Sequence, residues 1–118
     1  MANRNKQKGD RAERAVRDYL KEIWPGTFRS RAGFNDDLGD VIADTPRGLL
    51  CIQVKDVATP QWTKWFQQLE DQVQTLRANT TKPVIGGLVI WKTRGSANPA
   101  TWRTITTLNH LPELIGEP

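Results

Sequence analysis

The chain has 118 residues, 25% of them charged and 37% hydrophobic, with a net charge of +4. This length suits a single domain, residues 1–118, that buries its own core, and the composition is ordinary for a globular protein. No apolar run approaches the roughly 18 residues that a membrane span requires, and no hydrophobic stretch follows the basic N-terminus as in a secretory signal. A single cysteine, Cys51, cannot form an internal disulfide and favours a reduced, cytoplasmic setting.

The positive charge is concentrated at the start of the chain. Residues 1–17 hold six Lys or Arg against two acidic residues, and the remainder is balanced. Residues 1–8 contain no apolar anchor, so we expect them to form a flexible basic arm. Such a cluster suggests contacts with phosphates, although a solvated arm that only aids solubility has the same composition.

Apolar residues recur at helical spacing over 9–23 and predict a first helix, which ends at Trp24-Pro25-Gly26. A short strand over 27–31 follows. A segment rich in turn formers then leads to a second strand near 40–44. The turn formers at 45–48 and the apolar run at 49–55 predict a hairpin between the second and third strands.

After Pro60, an amphipathic helix is predicted to about residue 78, with Trp62 on its core stripe and Trp65 beside it. Strands are predicted at 83–91 and 101–108, and His110, the only histidine, is predicted on the surface. The order is α-β-β-β-α-β-β. A hairpin followed by a helical crossover into another strand predicts an α/β domain with a mixed β-sheet of about five strands flanked by helices.

Four residues could form one site. Glu13 lies at the border of the buried helical stripe, a costly position for an unpaired carboxylate, unless it pairs with Arg17 on the surface. Asp40 opens the second strand, where it could equally be a turn residue. Gln53 and Lys55 share one face of the third strand, and their alternative is a polar strand end. Together they could hold a cation such as Mg²⁺, which prefers oxygen ligands, beside a lysine that orients water or balances phosphate charge.

Three motifs carry a resemblance to a known family. KGDRAE (8–13), RSRAGFNDDLGD (29–40) and IQVK (52–55) resemble, in order and spacing, those of the PD-(D/E)XK nuclease superfamily. The chain is most similar to its archaeal- and phage-type Holliday-junction resolvases, and the likeness covers nearly the whole chain. The resemblance implies a restriction-endonuclease-like fold.

It also implies roles for individual residues. Glu13 would bind or organise a metal ion, Asp40 would be the central carboxylate, and the main-chain carbonyl of Val54 would add a ligand. Gln53 would stand where the family has a second strand acid, and Lys55 would position the attacking water. The predicted DNA contacts come from the basic helix and the following loop: Arg4, Lys6, Lys8, Arg11, Arg14, Arg29, Ser30 and Arg31.

The implied activity is a structure-selective DNA endonuclease that uses Mg²⁺, or Mn²⁺ in its place, to hydrolyse phosphodiesters to 5′-phosphate and 3′-hydroxyl ends. Its substrate would be branched or four-way DNA, which a homodimer would cut. The enzyme would be encoded by a phage and would act inside the host cell. The departure is Gln53, an amide where the family has an acid. QxK variants are compatible with activity in the superfamily, but weaker cation binding is expected unless Asp36, Asp37, Asp44 or Glu70 compensates. Another PD-(D/E)XK nuclease, acting on flaps, ends or mismatches, and a catalytically weakened DNA-binding protein are the alternatives.

Overall fold

A computed structural model of the chain describes residues 4–30 and 39–116. The helices and strands are α1 (Arg4–Ile23), β1 (Phe28–Arg29), β2 (Val41–Thr45), β3 (Gly48–Lys55), α2 (Trp62–Ala78), β4 (Val84–Trp91), β5 (Arg103–Ile105) and α3 (Leu111–Ile115). Their order confirms the predicted succession of helix, three strands, helix and two strands. The short α3 follows β5 in the C-terminal part, for which the sequence made no prediction.

The strands form one mixed sheet in the order β1-β2-β3-β4-β5. Three neighbouring pairs are antiparallel, and β3 and β4 are parallel. This pattern follows from the connections, since a tight turn joins β2 to β3 whereas α2 carries the chain back before β4 begins. The predicted hairpin and the predicted α/β class are therefore confirmed.

The two faces of the sheet are covered by different helices. On one face, Ile52 and its alternate neighbours pack with Ala12 and Val16 of α1. On the other face, Cys51 packs with Leu69 and other residues of α2. Because both faces of β3 are covered, every residue of that strand except Lys55 is buried. A polar side chain in β3 therefore enters the core rather than solvent.

The first helix begins earlier than predicted. It starts at Arg4 rather than near residue 9, so residues 4–8 of the predicted arm are helical. Gly9 lowers helix propensity by about 1 kcal/mol relative to alanine, which made it an attractive boundary in the sequence. The helix continues through it because Lys6, Gln7 and Lys8 are themselves good helix formers.

The second helix has the predicted bounds but a different phase at its start. Trp65 is buried and Trp62 is exposed, the reverse of the prediction. The buried stripe runs through Trp65, Leu69, Val73 and Leu76, at spacings of four, four and three residues. Trp62 lies in the first turn, and its ring packs edge-on against Trp65 and against Trp91 of β4, with 5.2 and 5.4 Å between centroids.

The C-terminal region differs from the prediction in two ways. The last strand is shorter than 101–108 because Pro99–Thr101 form a 3-10 turn, capped by the side chain of Asn98. His110 is buried rather than exposed, and its imidazole fills the space beside Gly86. Nε2 of His110 lies 2.6 Å from Oε1 of Glu70 on α2.

Across the described ranges, no helix has both the length and the apolar character needed to cross a membrane.

Candidate functional site

Asp40 is held between two strands at the start of β2. Its main-chain N–H donates to the carbonyl of Ile52 (2.9 Å), and its own carbonyl accepts from Ser30 N–H (3.1 Å). Its carboxylate Oδ2 accepts from the main-chain N–H of Val54 at 2.8 Å. The side chain thus takes a place that a main-chain carbonyl would fill in a regular ladder, and this contact fixes the carboxylate against β3.

The residue before Asp40 explains how the chain reaches this position. Gly39 has φ +102°, and a Cβ there would lie 2.8 Å from Sγ of Cys51. A side chain would be strained by the backbone and would collide with the core. Glycine at position 39 therefore lets the carboxylate of Asp40 lie close to β3. Any other residue at position 39 would push this part of the chain away from β3.

Gln53 lies in β3 between the two residues that Asp40 contacts. The carbonyl of Ile52 accepts from Asp40 N–H, and the N–H of Val54 donates to the carboxylate of Asp40. The side chain of Gln53 is only 1% exposed, and its Nε2 donates to Oε1 of Gln72 on α2 at 2.8 Å. Its own Oε1 is buried and accepts no hydrogen bond from the residues that the structure describes. A buried acceptor without a donor is costly and rare.

Lys55 lies one pleat beyond Gln53, on the same face of β3, as the alternation of the strand predicts. It is the first residue of β3 that is only partly buried. Its ammonium lies 5.6 Å from the ring centroid of Trp65, in cation–π contact. Lys55 therefore lies at the end of β3 that solvent can reach, near Asp40 and Gln53.

Glu13 is placed differently from the other three residues. Its Oε1 accepts from Nη2 of Arg29 at 3.0 Å, and the same guanidinium contacts Asp10 at 3.2 Å. The alternative partner, Arg17, instead pairs with Asp18. Arg29 lies opposite Val41 in the β1–β2 ladder, so Glu13 is at the end of β2 that Asp40 occupies. It nevertheless lies on α1, across the sheet from the face that carries Gln53 and Lys55.

Five of the predicted DNA-contacting residues, Arg4, Lys6, Lys8, Arg11 and Arg14, are exposed on α1. The others are on or after β1. Arg29 is engaged by two carboxylates, an arrangement that differs from the one expected of a phosphate contact. Ser30 is half-buried beside Asp40, and Arg31 lies outside the described residues.

Neither of the two compensating acids that can be placed joins the site. Asp44 lies opposite Leu49, towards the hairpin turn, and its carboxylate pairs with Lys82 at 3.1 Å. Glu70 contacts His110. Asp36 and Asp37 fall outside the described residues. In the described parts of the chain, no three His, Cys, Asp or Glu side chains are grouped closely enough to hold a metal ion.

Gln72 is the residue of this region that the sequence reading missed. It is 3% exposed and lies among apolar residues of α2. A signal was present, because Gln72 comes three residues after Leu69 and therefore falls on the buried stripe. A glutamine on such a stripe needs a polar partner, and Gln53 is the polar residue that the facing strand offers.

The donor set suits a hard divalent cation. Asp40 supplies a carboxylate, and the orphaned Oε1 of Gln53 is a neutral oxygen whose hydrogen-bonding capacity is unused. Mg²⁺ is bound through one or two carboxylates together with other oxygens and water. The residues present therefore fit such an ion, with less negative charge than two strand acids would bring.

Searches against protein-family models, curated proteins and solved structures gave no significant match to this chain. Assignment of a function therefore depends on the arrangement of these residues.

Proposed function

We propose that the protein is a Mg²⁺-dependent, structure-selective DNA endonuclease of the PD-(D/E)XK type, with a four-way junction as its preferred substrate. One observation carries the proposal. The carboxylate of Asp40 is fixed by the N–H of Val54, the residue between Gln53 and Lys55 in β3. An acid, a second oxygen donor and a lysine thus meet on two neighbouring strands.

The architecture supports the same proposal. A helix, a three-stranded antiparallel segment, a crossover helix and a parallel fourth strand are what a restriction-endonuclease-like fold requires. The proposed site lies where β2 begins and β3 ends, at the strand ends in the interior of the sheet. That location leaves Lys55 accessible to a large substrate.

The ion would be held by Asp40 and Gln53, with the carbonyl of Val54 and water as further ligands. Glu13, which pairs with Arg29 across the sheet, would not contact it directly. When bound, it would polarise the phosphoryl oxygens and lower the pKa of a coordinated water. In hydrolysis, the oxygen of water forms a bond to phosphorus while the bond to the 3′-oxygen breaks. The 3′-oxygen takes up a proton and leaves as a hydroxyl, and the phosphate stays on the 5′ end.

Side chains of the protein position the reacting groups and balance the negative charge of the DNA. The ammonium of Lys55 orients the attacking water and stabilises the negative charge that develops on the phosphate. The bond from Val54 N–H keeps Asp40 fixed, so no reorganisation is needed when substrate arrives. The exposed basic residues of α1 hold the DNA backbone near the site.

A second candidate is DNA binding without cleavage. It is favoured by the ion pair between Glu13 and Arg29, which leaves Asp40 as the one acid described beside Gln53 and Lys55. In this case Gln53 would mark a site that has lost its cation. Such a protein would bind DNA with a steep salt dependence and cut none with any divalent ion.

The test is cleavage of labelled synthetic DNA with Mg²⁺ and with EDTA. Four-way, flap, nicked, mismatched and single-stranded substrates separate a resolvase, which prefers the four-way form, from other nucleases of the same type. Paired nicks in opposing strands would indicate the homodimer that resolvases use. If Asp40→Ala and Lys55→Ala cut as fast as wild type, the site assignment is wrong. Binding without cutting on every substrate would favour the second candidate.

A further inference from the structure

A cavity of about 290 Å³ opens at the carboxyl end of β4, beside the candidate site. Three cationic side chains line it, those of Lys92, Arg94 and Arg103, together with the indole of Trp91. No carboxylate is among the described residues of its wall. None of these four residues was assigned a role by the sequence motifs.

The side chain of Arg103 packs against a tryptophan ring that is itself held in place. Trp91 pairs with Arg103 across the β4–β5 ladder, and the guanidinium of Arg103 lies 5.8 Å from the indole centroid. Nε1 of Trp91 donates to the carbonyl of Val57 at 2.8 Å, which locks the ring. Stacked in this way, Arg103 loses little further freedom when it binds an anion.

The positive charge of this cavity is poorly balanced within the protein. Neither Arg94 nor Arg103 forms an ion pair with a described residue, and Lys92 reaches Asp56 only at 4.0 Å. Like charges gathered in one cavity repel each other. An anionic ligand with several charges would relieve that repulsion.

Lys92 connects this cavity to a second one. A cavity of about 150 Å³ on its other side is lined by Lys8 and Arg11 of α1, by Asp56 and by Lys92 itself. The ammonium of Lys92 lies 5.8 Å from the ring centroid of Trp102, which also lines this second cavity. The basic face of α1 therefore continues across Lys92 to Arg94 and Arg103, as one positively charged surface.

This surface runs directly past Lys55. The main-chain N–H of Lys92 donates to the carbonyl of Lys55 at 2.9 Å, and Lys55 pairs with Trp91 in the parallel ladder. Neighbouring strands are about 4.8 Å apart. A phosphate at Lys55 would thus have the next phosphates of its strand within reach of the cavity.

We propose that Lys92, Arg94 and Arg103 form a binding site for the sugar–phosphate backbone of duplex DNA, flanking the phosphate to be cut. The proposal rests on the proposed function, whose DNA contacts it extends from α1 to the β4–β5 side. The charge is spread along a surface that also includes the indole of Trp91, and such a surface suits a polyanion better than a single small anion. Because phosphate contacts carry no sequence information, this site contributes affinity and orientation.

The experiment measures binding of a fluorescent four-way junction in EDTA over a series of NaCl concentrations. We compare wild type with Arg94→Ala/Arg103→Ala and with Lys21→Ala/Lys82→Ala, a control that removes the same charge far from the cavity. Each phosphate contact adds about 0.9 to the slope of log K against log salt, so the first variant should lose about 1.8 of slope. The control should keep the slope of the wild type.

Each outcome is decisive. Equal slopes for the two variants would overturn this site, and cleavage by the wild type would then leave the proposed function standing. Competition by a deoxynucleoside monophosphate as strong as that by duplex DNA would also overturn it, in favour of a small-anion site. If the wild type fails to bind DNA at low salt, both this inference and the proposed function fail. Thermal unfolding confirms that both variants fold, since surface substitutions usually change stability by less than about 0.5 kcal/mol.

Discussion

The hydrogen-bonded pair of Gln53 and Gln72 leads to a quantitative prediction. The two side chains are 1% and 3% exposed and bond to each other at 2.8 Å inside an otherwise apolar layer. Replacing Gln72 by methionine keeps length and volume but leaves the amide nitrogen of Gln53 buried without an acceptor. The desolvation penalty of an orphaned group is about 1–3 kcal/mol. We expect Gln53→Met alone to cost less, because it leaves Oε1 of Gln72 without this donor but also removes the unpaired Oε1 of Gln53.

The double variant should behave differently from the sum of the two. With both amides replaced, no polar group of the pair is left unpaired, and the thioethers pack against Leu69 and Cys51. Its stability should be at least that of the wild type, because the unpaired Oε1 of Gln53 is also gone, so the two substitutions should couple by at least about 2 kcal/mol. Restored stability would not restore function, because the oxygen donor of Gln53 is gone.

Urea unfolding of the wild type, both single variants and the double variant forms a complete cycle. At about 1–3 kcal/mol/M of urea, each single loss moves the midpoint by a readily measured amount. Additive losses, with coupling below about 0.5 kcal/mol, would refute the reasoning that the amides depend on each other. A double variant that retained Mg²⁺-dependent cleavage would refute the role given to Gln53.

Two further predictions concern stability. Gly39→Ala should destabilise the fold by about 1–3 kcal/mol, because Gly39 has φ +102° and a Cβ there would lie 2.8 Å from Sγ of Cys51. Gly9→Ala, in open space on α1, should instead stabilise the fold by about 0.5–1 kcal/mol. Urea midpoints that shift equally in the two variants would contradict this prediction. Burial raises the pKa of Glu70, but the hydrogen bond from Asn109 and the charge of His110 outweigh it, so the net pKa lies below its usual value of 4.5. The native state then binds fewer protons than the unfolded state, so this contribution is complete above that value and is lost as pH falls through the folded pKa. The stability of Glu70→Gln should therefore fall less than that of the wild type as the pH is lowered. Identical acid unfolding transitions would contradict the lowered pKa of Glu70.

The arrangement of elements followed from the sequence because it depends on local patterns. Helical spacing predicted the bounds of α2, and the turn formers at 45–48 predicted the hairpin, which brings Asp40 close to β3. The shared face of Gln53 and Lys55 follows from strand alternation alone. These features need no knowledge of what packs against them.

The misplaced features depend on contacts between distant segments. Arg29 is 16 residues from Glu13, so the spacing rules that offered Arg17 could not find it. The burial of His110 depends on a space beside a strand glycine, Gly86. The burial of Trp65 rather than Trp62 depends on how α2 packs against the sheet, which its apolar stripe does not reveal.

We propose that Asp40 and its neighbours catalyse cation-dependent cleavage of DNA. Asp40→Asn is the sharpest perturbation, because the amide oxygen can still accept from Val54 N–H while the charge is lost. Single-turnover cleavage of a four-way junction with saturating Mg²⁺ compares this variant with the wild type. We predict cutting by the wild type that EDTA abolishes, and at least about a hundredfold slower cutting by the folded variant. Equal rates for the two proteins, or no cutting by the wild type, would contradict the claim.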